Sequence, residues 1–206
     1  MLKLILEYRH SCLKAFFCFA FLFLISALPT MAQAQIDFLL QIGPDFGSGK
    51  GQSFGAPSGL SLAPDGNIYV SDTNNNRVVV FDSAGKYIRQ FGKKGSGVGE
   101  FKTPKGLAHS DDGNLYVVDS GNERIQVFSP EGKYLFLFGK DGDGWGELDE
   151  PTGIAIDSQN RVIVADSGNH SLAFFTAQGI YLERFGFRGD GKGQFDEPLD
   201  VAVDRA

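Results

Sequence analysis

The sequence predicts an all-β fold built from repeated four-stranded antiparallel units. Three observations carry that prediction. PSGLSLAPDGNIYVSDTNNNRVVVFDSAGKYIRQFG at 57–92 returns as PKGLAHSDDGNLYVVDSGNERIQVFSPEGKYLFLFG at 104–139 and as PTGIAIDSQNRVIVADSGNHSLAFFTAQGIYLERFG at 151–186, and PLDVAVD opens a fourth copy at Pro198. The landmarks keep one spacing. Pro57, Pro104, Pro151 and Pro198 are each 47 residues apart, as are Asp72, Asp119 and Asp166, and Gly92, Gly139 and Gly186. A fixed period of that length means stacked supersecondary units. Finally, β-branched and aromatic residues dominate every copy, and nothing after residue 34 shows a helical period.

The chain opens with Lys3, Arg9, His10 and Lys14, followed by the 15-residue apolar run from Ala15 to Pro29 and by Ala32-Gln33-Ala34. A charged start, a short apolar core and a small-x-small end make a secretory signal peptide over 1–34. The run is short for a membrane span, which needs about 20 residues. Cleavage after Ala34 is therefore expected, with an uncleaved anchor as the alternative. Both cysteines, Cys12 and Cys18, lie in that segment, so the mature domain has no thiol or disulfide. An exported protein is expected, whether periplasmic, at the cell surface or extracellular, with no stable membrane span in the mature chain. Beyond residue 34 the balance is −8, which disfavours binding to a nucleic-acid backbone.

Each unit reads as four strands. Strand a is GLSL, GLAH or GIAI, and strand b, after a turn rich in Asp, Gly and Asn, is IYVSD, LYVVD or VIVAD. The loops TNNN, SGNE and SGNH lead to strand c, RVVVF, RIQVF or SLAFF; the turns SAGK, PEGK and AQG lead to strand d, YIRQFG, YLFLFG or YLERFG. Four antiparallel strands per unit at this period describe a β-propeller blade. A lone blade leaves both faces bare, so neighbours are expected to bury Leu60, Tyr69, Val70, Phe81 and their equivalents between them. A linear β-solenoid is the rival reading, but its coils are usually much shorter.

The second copy carries Pro104, Gly106, Gly113, Asn114, Tyr116, Val117, Asp119, Ser120, Gly121, Asn122, Arg124, Val127 and Phe128. With its two companions it resembles the NHL repeat over residues 54–204. That resemblance implies a ring of six blades, about 282 residues at this period, against the 172 that follow Ala34. The expected domain is a partial propeller over 36–206. It comprises a leading d strand at 36–43, blades at 54–92, 101–139 and 148–186, and a trailing a strand within 195–206. The last unit stops inside a blade, so a fragment of a longer, six-bladed parent is the simplest expectation. Closure by a second copy is the alternative, since open blade edges invite self-association.

In a meander the a–b and c–d turns share one face, and the b–c and d–a loops the other. Variable loops on a rigid scaffold are the usual home of binding. The candidate binding residues on the second face are Asn75, Arg77, Lys94, Asn122, Arg124, Trp145, Asn169 and His170. Asp72, Asp119 and Asp166, at the ends of strand b, read either as a carboxylate ring for a cation or as loop-capping acceptors. Arg77 and Arg124 recur but meet Ser171 in the third copy, which leaves open whether the Asp–Arg pair is dispensable or serves a ligand. Trp145 could contact a peptide or sugar, or pack on the adjoining blade. His109 replaces Leu62, Ile156 and Val203 of the other copies and could face the channel. Gly95-Ser96-Gly97 lacks the context of a phosphate loop. There is no G-x-S-x-G motif, no cysteine nucleophile after residue 34 and no H-x-x-x-H metal spacing.

No catalytic residue, metal site or cofactor is therefore expected. The expected function is an exported scaffold for a protein, peptide or glycan, with no nucleic-acid partner. The alternative, drawn from related propellers, is a lactonase or a metal-dependent amidating lyase with calcium or zinc at the channel.

Overall fold

The computed structural model describes residues 53–204. These hold twelve strands in three four-stranded antiparallel sheets, each in simple sequence order. The first sheet is β1 (Pro57–Leu62), β2 (Ile68–Asp72), β3 (Arg77–Phe81) and β4 (Tyr87–Phe91). The second is β5 (Pro104–His109), β6 (Leu115–Asp119), β7 (Arg124–Phe128) and β8 (Tyr134–Phe138). The third is β9 (Pro151–Ile156), β10 (Val162–Asp166), β11 (Ser171–Phe175) and β12 (Tyr181–Phe185). These are three propeller blades. The expected d strand at 36–43 and the export segment 1–34 lie outside the described residues. No helix among the described residues is long and apolar enough to cross a membrane.

The turns close as their residues require. In the turn between β7 and β8, Gly132 takes φ +83° and donates to Ser129 O at 2.8 Å, a backbone conformation that only glycine adopts without cost. The b–c loops are tighter than their polar sequence suggests: Thr73–Asn75 and Ser120–Asn122 each form one 3-10 turn, ending on a left-handed residue. Each d–a linker also folds back on itself through an isolated parallel bridge, Lys94 to Phe101, Asp141 to Leu148 and Arg188 to Phe195.

Alternation along the strands puts one apolar row on each blade face, and these rows meet at two seams. Tyr69, Val78 and Val80 of the first blade pack on Leu107, Leu115, Val117 and Phe128 of the second, with Phe101 from the linker between them. Tyr116, Val118 and Val127 meet Ile154, Val162, Val164 and Phe175 in the same way, with Leu148 as the linker residue. Phe91 to Phe128 and Phe138 to Phe175 place the d strand of one blade on the c strand of the next, at 5.1 and 4.9 Å between ring centroids. Burying each such side chain contributes roughly 2 kcal/mol. Polar ties run alongside: Tyr116 Oη donates to Ala177 O at 2.8 Å, as Tyr69 Oη does to Pro130 O at 3.3 Å.

One expected seam residue is not buried. Leu60 is 68% exposed, whereas Leu107 and Ile154 at the same position are each 6% exposed. That position faces the preceding blade, and among the described residues no blade precedes the first.

The a strands pack side by side along the channel at backbone contact. A Cβ built on Gly106 would stand 2.6 Å from Thr152 O, and one on Gly59 would collide with Lys105 O. This close approach is why each inner strand carries glycine two residues after its proline. Residues 198–204 lie at the next inner position without forming a strand, since no second strand of that unit is among the described residues. Ser167 Oγ donates to Pro198 O at 2.7 Å, just as Thr73 Oγ1 donates to Pro104 O at 2.8 Å. The inner strands line a cleft of about 460 Å³ that includes Lys105, Leu60, Leu199 and Asp200.

Candidate functional site

The b–c loops and the d–a linkers share one face, and a buried carboxylate organises each blade's part of it. Asp72, Asp119 and Asp166 have no solvent exposure. Each accepts a hydrogen bond from the backbone of the preceding linker: from Gly55 N at 2.6 Å, Lys102 N at 2.7 Å and Asp149 N at 2.8 Å. Each also accepts from an asparagine three residues on, Asn75, Asn122 or Asn169, at 2.9 Å. The same asparagine amides donate to linker carbonyls, Ser53 O, Gly95 O and Gly142 O. Every carboxylate is thus filled by N–H donors. The loop-capping reading holds, and a cation ring would have to displace these bonds.

An arginine completes each node. Arg77 Nε lies 2.7 Å from Asp72 and Arg124 Nε 2.8 Å from Asp119. Arg124 also gathers Ser96 O, Gly97 O and Glu100 O of its linker. In the third blade Ser171 stands at that position, yet the cation is not missing. Arg184, on β12, reaches Asp166 at 3.3 Å and gathers Asp143 O, Gly144 O and Glu147 O. The cation has moved from the third strand to the fourth. Burial pushes the Asp166 carboxyl above its ordinary range, against the opposing pull of its hydrogen bonds and of Arg184.

A second repeated device crosses the seams. Thr103, Glu150 and Glu197, each just before an inner-strand proline, hold φ between +44° and +50°, a costly conformation for such residues. Their N–H groups donate to the last residue of the preceding blade's b–c loop: Asn76 Oδ1 at 3.0 Å, Glu123 Oε2 at 2.7 Å and His170 Nδ1 at 3.1 Å. Asparagine, glutamate and histidine share no charge here, only an acceptor atom.

One glycine amide in each linker is taken by a side chain of that linker. Glu100 Oε2 accepts Gly97 N at 3.0 Å, Glu147 Oε2 accepts Gly144 N at 2.9 Å, and Gln194 Oε1 accepts Gly191 N at 2.8 Å. The Gly97 amide, with Lys93, holds the Glu100 carboxyl below its usual range. Lys140, with the Gly144 amide, does the same for Glu147.

Of the sequence candidates, Asn75, Arg77, Asn122, Arg124 and Asn169 are drawn into the carboxylate nodes, and His170 into a cross-seam bond and a contact with Asp196 at 3.3 Å. Lys94 and Trp145 project into solvent, Trp145 at 91% exposure. Among the described residues its ring packs on no blade. His109 does not face the channel. It is wedged between the first two blades, with Nδ1 2.9 Å from Ser61 Oγ and its ring 4.5 Å from that of Tyr69. Burial lowers its pKa to about 4. Arg184 and Glu123 were not among the candidates. The signal for Arg184 was present in the aligned copies: the one unit lacking arginine at the start of strand c has one in strand d, where the others carry Gln90 and Leu137. Among the described residues, no group of three or more His, Cys, Asp or Glu is placed to hold a metal ion.

The profile of a family described as a 6-bladed beta-propeller matches residues 54–108, and that of the NHL repeat matches 101–128 and 148–175. Among curated proteins, the chain is 43% identical over 51 residues to Protein brain tumor of Drosophila melanogaster, covering 25% of this chain and 5% of that protein. It is 43% identical over 44 residues to RING finger protein nhl-1 of Caenorhabditis elegans, covering 21% of this chain and 4% of that protein. Solved structures share the architecture. A Bacteroides thetaiotaomicron protein of unknown function aligns with TM-score 0.57, 19% identity, and 72% and 42% of the two chains. Kuenenia stuttgartiensis hydrazine synthase gives 0.55, 19%, 75% and 42%. Virginiamycin B lyase from Staphylococcus aureus gives 0.51, 22%, 64% and 41%. The chain thus spans about two-fifths of these structures and a small part of the curated relatives.

Proposed function

We propose that this chain, a member of the NHL-repeat β-propeller family, works as an exported scaffold that binds a protein, peptide or glycan on its b–c and d–a face. One observation carries the reading. The repeated polar residues of that face are spent inward on buried nodes, while the side chains at positions the repeat leaves free, Lys94 and Trp145 above all, point outward. A rigid frame that presents differing exposed side chains from equivalent positions suits recognition.

The test uses purified chain on peptide and glycan arrays, followed by calorimetry of any hit. At least one of Trp145→Ala and Lys94→Ala should abolish or clearly weaken binding while leaving the melting temperature unchanged. Binding indifferent to both substitutions would overturn this assignment of the face. Export belongs to the same reading and rests on residues 1–34. A mature N-terminus at Gln35 would support it, and one at Met1 would count against it. The lyase-type alternative, with calcium or zinc, needs carboxylates and histidines open to the channel; among the described residues Asp72, Asp119, Asp166 and His109 are buried, and Asp200 is the carboxylate that lines the inner cleft.

A further inference from the structure

Equivalent positions on the binding face carry different charges at successive seams. At the first seam they are Asn76, Lys94 and Lys102. At the second they are Glu123, Asp141 and Asp149, joined by Asp143 and Glu150. At the equivalent positions past the third blade they are His170, Arg188 and Asp196, joined by Asp190 and Glu197 and by Lys192 in place of Trp145; two fixed cations stand among those carboxylates, with Arg188 Nε 3.6 Å from Asp196 Oδ1.

The second seam has no such compensation. Lys140 is taken by Glu147 at 2.7 Å, and Arg184 is committed to Asp166 and to linker carbonyls. Asp141 and Asp143 are both exposed. The carboxylates also feel one another: after burial, Asp149, Asp141 and Glu150 all act to raise the Glu123 carboxyl.

Trp145 stands on the same linker. Its exposure does not come from a loose loop. Asn169 holds Gly142 O at 2.9 Å, Arg184 holds Asp143 O at 2.7 Å, and Glu147 accepts Gly144 N at 2.9 Å. The fold does not require tryptophan there, since the equivalent residues are Val98 and Lys192. An indole presented to solvent from a tied linker that also carries two exposed carboxylates suits a cation, because the ring face and the charges attract the same group.

We propose that the second seam docks a cationic, arginine- or lysine-rich peptide segment of a protein partner, one cation lying over Trp145 and others along Asp141, Asp143 and Glu123. This rests on the scaffold reading above and names the class of partner for that face.

Trp145 is the chain's one tryptophan, so its fluorescence reports on this site alone. Purified chain is titrated with hexa-arginine, hexa-glutamate and maltohexaose, each followed by tryptophan emission and by calorimetry. Hexa-arginine should shift or quench the emission. The double variant Asp141→Asn/Asp143→Asn should weaken binding roughly tenfold, as Trp145→Ala should in calorimetry, whereas Lys94→Ala should not weaken it. Emission unmoved by hexa-arginine, an equal response to hexa-glutamate, or binding indifferent to the Asp variants would overturn the proposal. Heat from hexa-glutamate or maltohexaose with no change at Trp145 would sink this seam but leave the scaffold reading standing. Failure of every ligand, here and on the arrays, would count against both. Thermal melts of each variant confirm that folding is intact.

Discussion

Arg184 reaches Asp166 at 3.3 Å across the strand that lies between them, doing in the third blade what Arg77 and Arg124 do from the neighbouring strand in the first two. The contact is longer than its counterparts at 2.7 and 2.8 Å, and Arg184 makes it from opposite the small Ala173 of the intervening strand.

The exchange makes a reversible prediction. Arg184→Leu, which copies Leu137 of the second blade, strands Asp166 as a buried charge and should cost about 3 kcal/mol. Adding Ser171→Arg should return more than half of that. A double-mutant cycle from urea denaturation measures it. Additive losses would show that the arginine has no interchangeable seat.

Asp119 is the most heavily bonded node, with Lys102 N, Asn122, Arg124 and Gln126 all donating to it. Asp119→Asn sets a second N–H group against those donors and should lower stability by about 3 kcal/mol. Against a total of roughly 5–15 kcal/mol, that is large enough to read from a single melting curve.

His109 makes the first seam acid-sensitive. The unfolded imidazole titrates near 6.5 and the folded one near 4, because burial against Tyr69 and Ser61 opposes charge and nearby Asp65 only partly offsets it. Between those values the unfolded chain binds the extra proton. Stability is therefore full above pH 6.5 and is lost as pH falls towards 4, by up to about 3 kcal/mol at about 1.4 kcal/mol per pH unit. His109→Leu, matching Leu62, should flatten the decline in melting temperature between pH 7 and 5. An unchanged decline would place the acid sensitivity elsewhere.

Gly106→Ala would drive a methyl group into the backbone of the next inner strand and should destabilise by about 3 kcal/mol. At Gly99 nothing stands within 4 Å of an added Cβ. Alanine there meets only the cost of φ +71°, about 1 kcal/mol. Equal losses at the two sites would mean that the inner strands can spread apart.

Most of the fold was legible because a period of 47 residues repeats a whole supersecondary unit. Strands b and c were read to the residue, since IYVSD and RVVVF are bounded by unmistakable turns. The linkers were not, because their parallel bridges and Glu-to-glycine closures leave no hydrophobic period to read. The site was legible in part. The carboxylate column was visible, but Asn75 and Arg77 looked like ligand-binding groups because polarity alone does not show which way a side chain turns. Arg184 was hidden because reading one column at a time misses a charge that changes strand. Leu60 was misjudged because burial at a seam needs the neighbour as well as the residue.

The first two d–a linkers are held by the blade that follows: Lys140–Leu148 is gripped by Asn169 and Arg184, and Lys93–Phe101 by Asn122 and Arg124. The natural cassette for shuffling therefore begins after the Phe-Gly that ends strand d. A transplant cut at the prolines would leave behind the strap its own arginine is built to fasten, whereas one cut at Gly92 and Gly139 would carry its buckle with it.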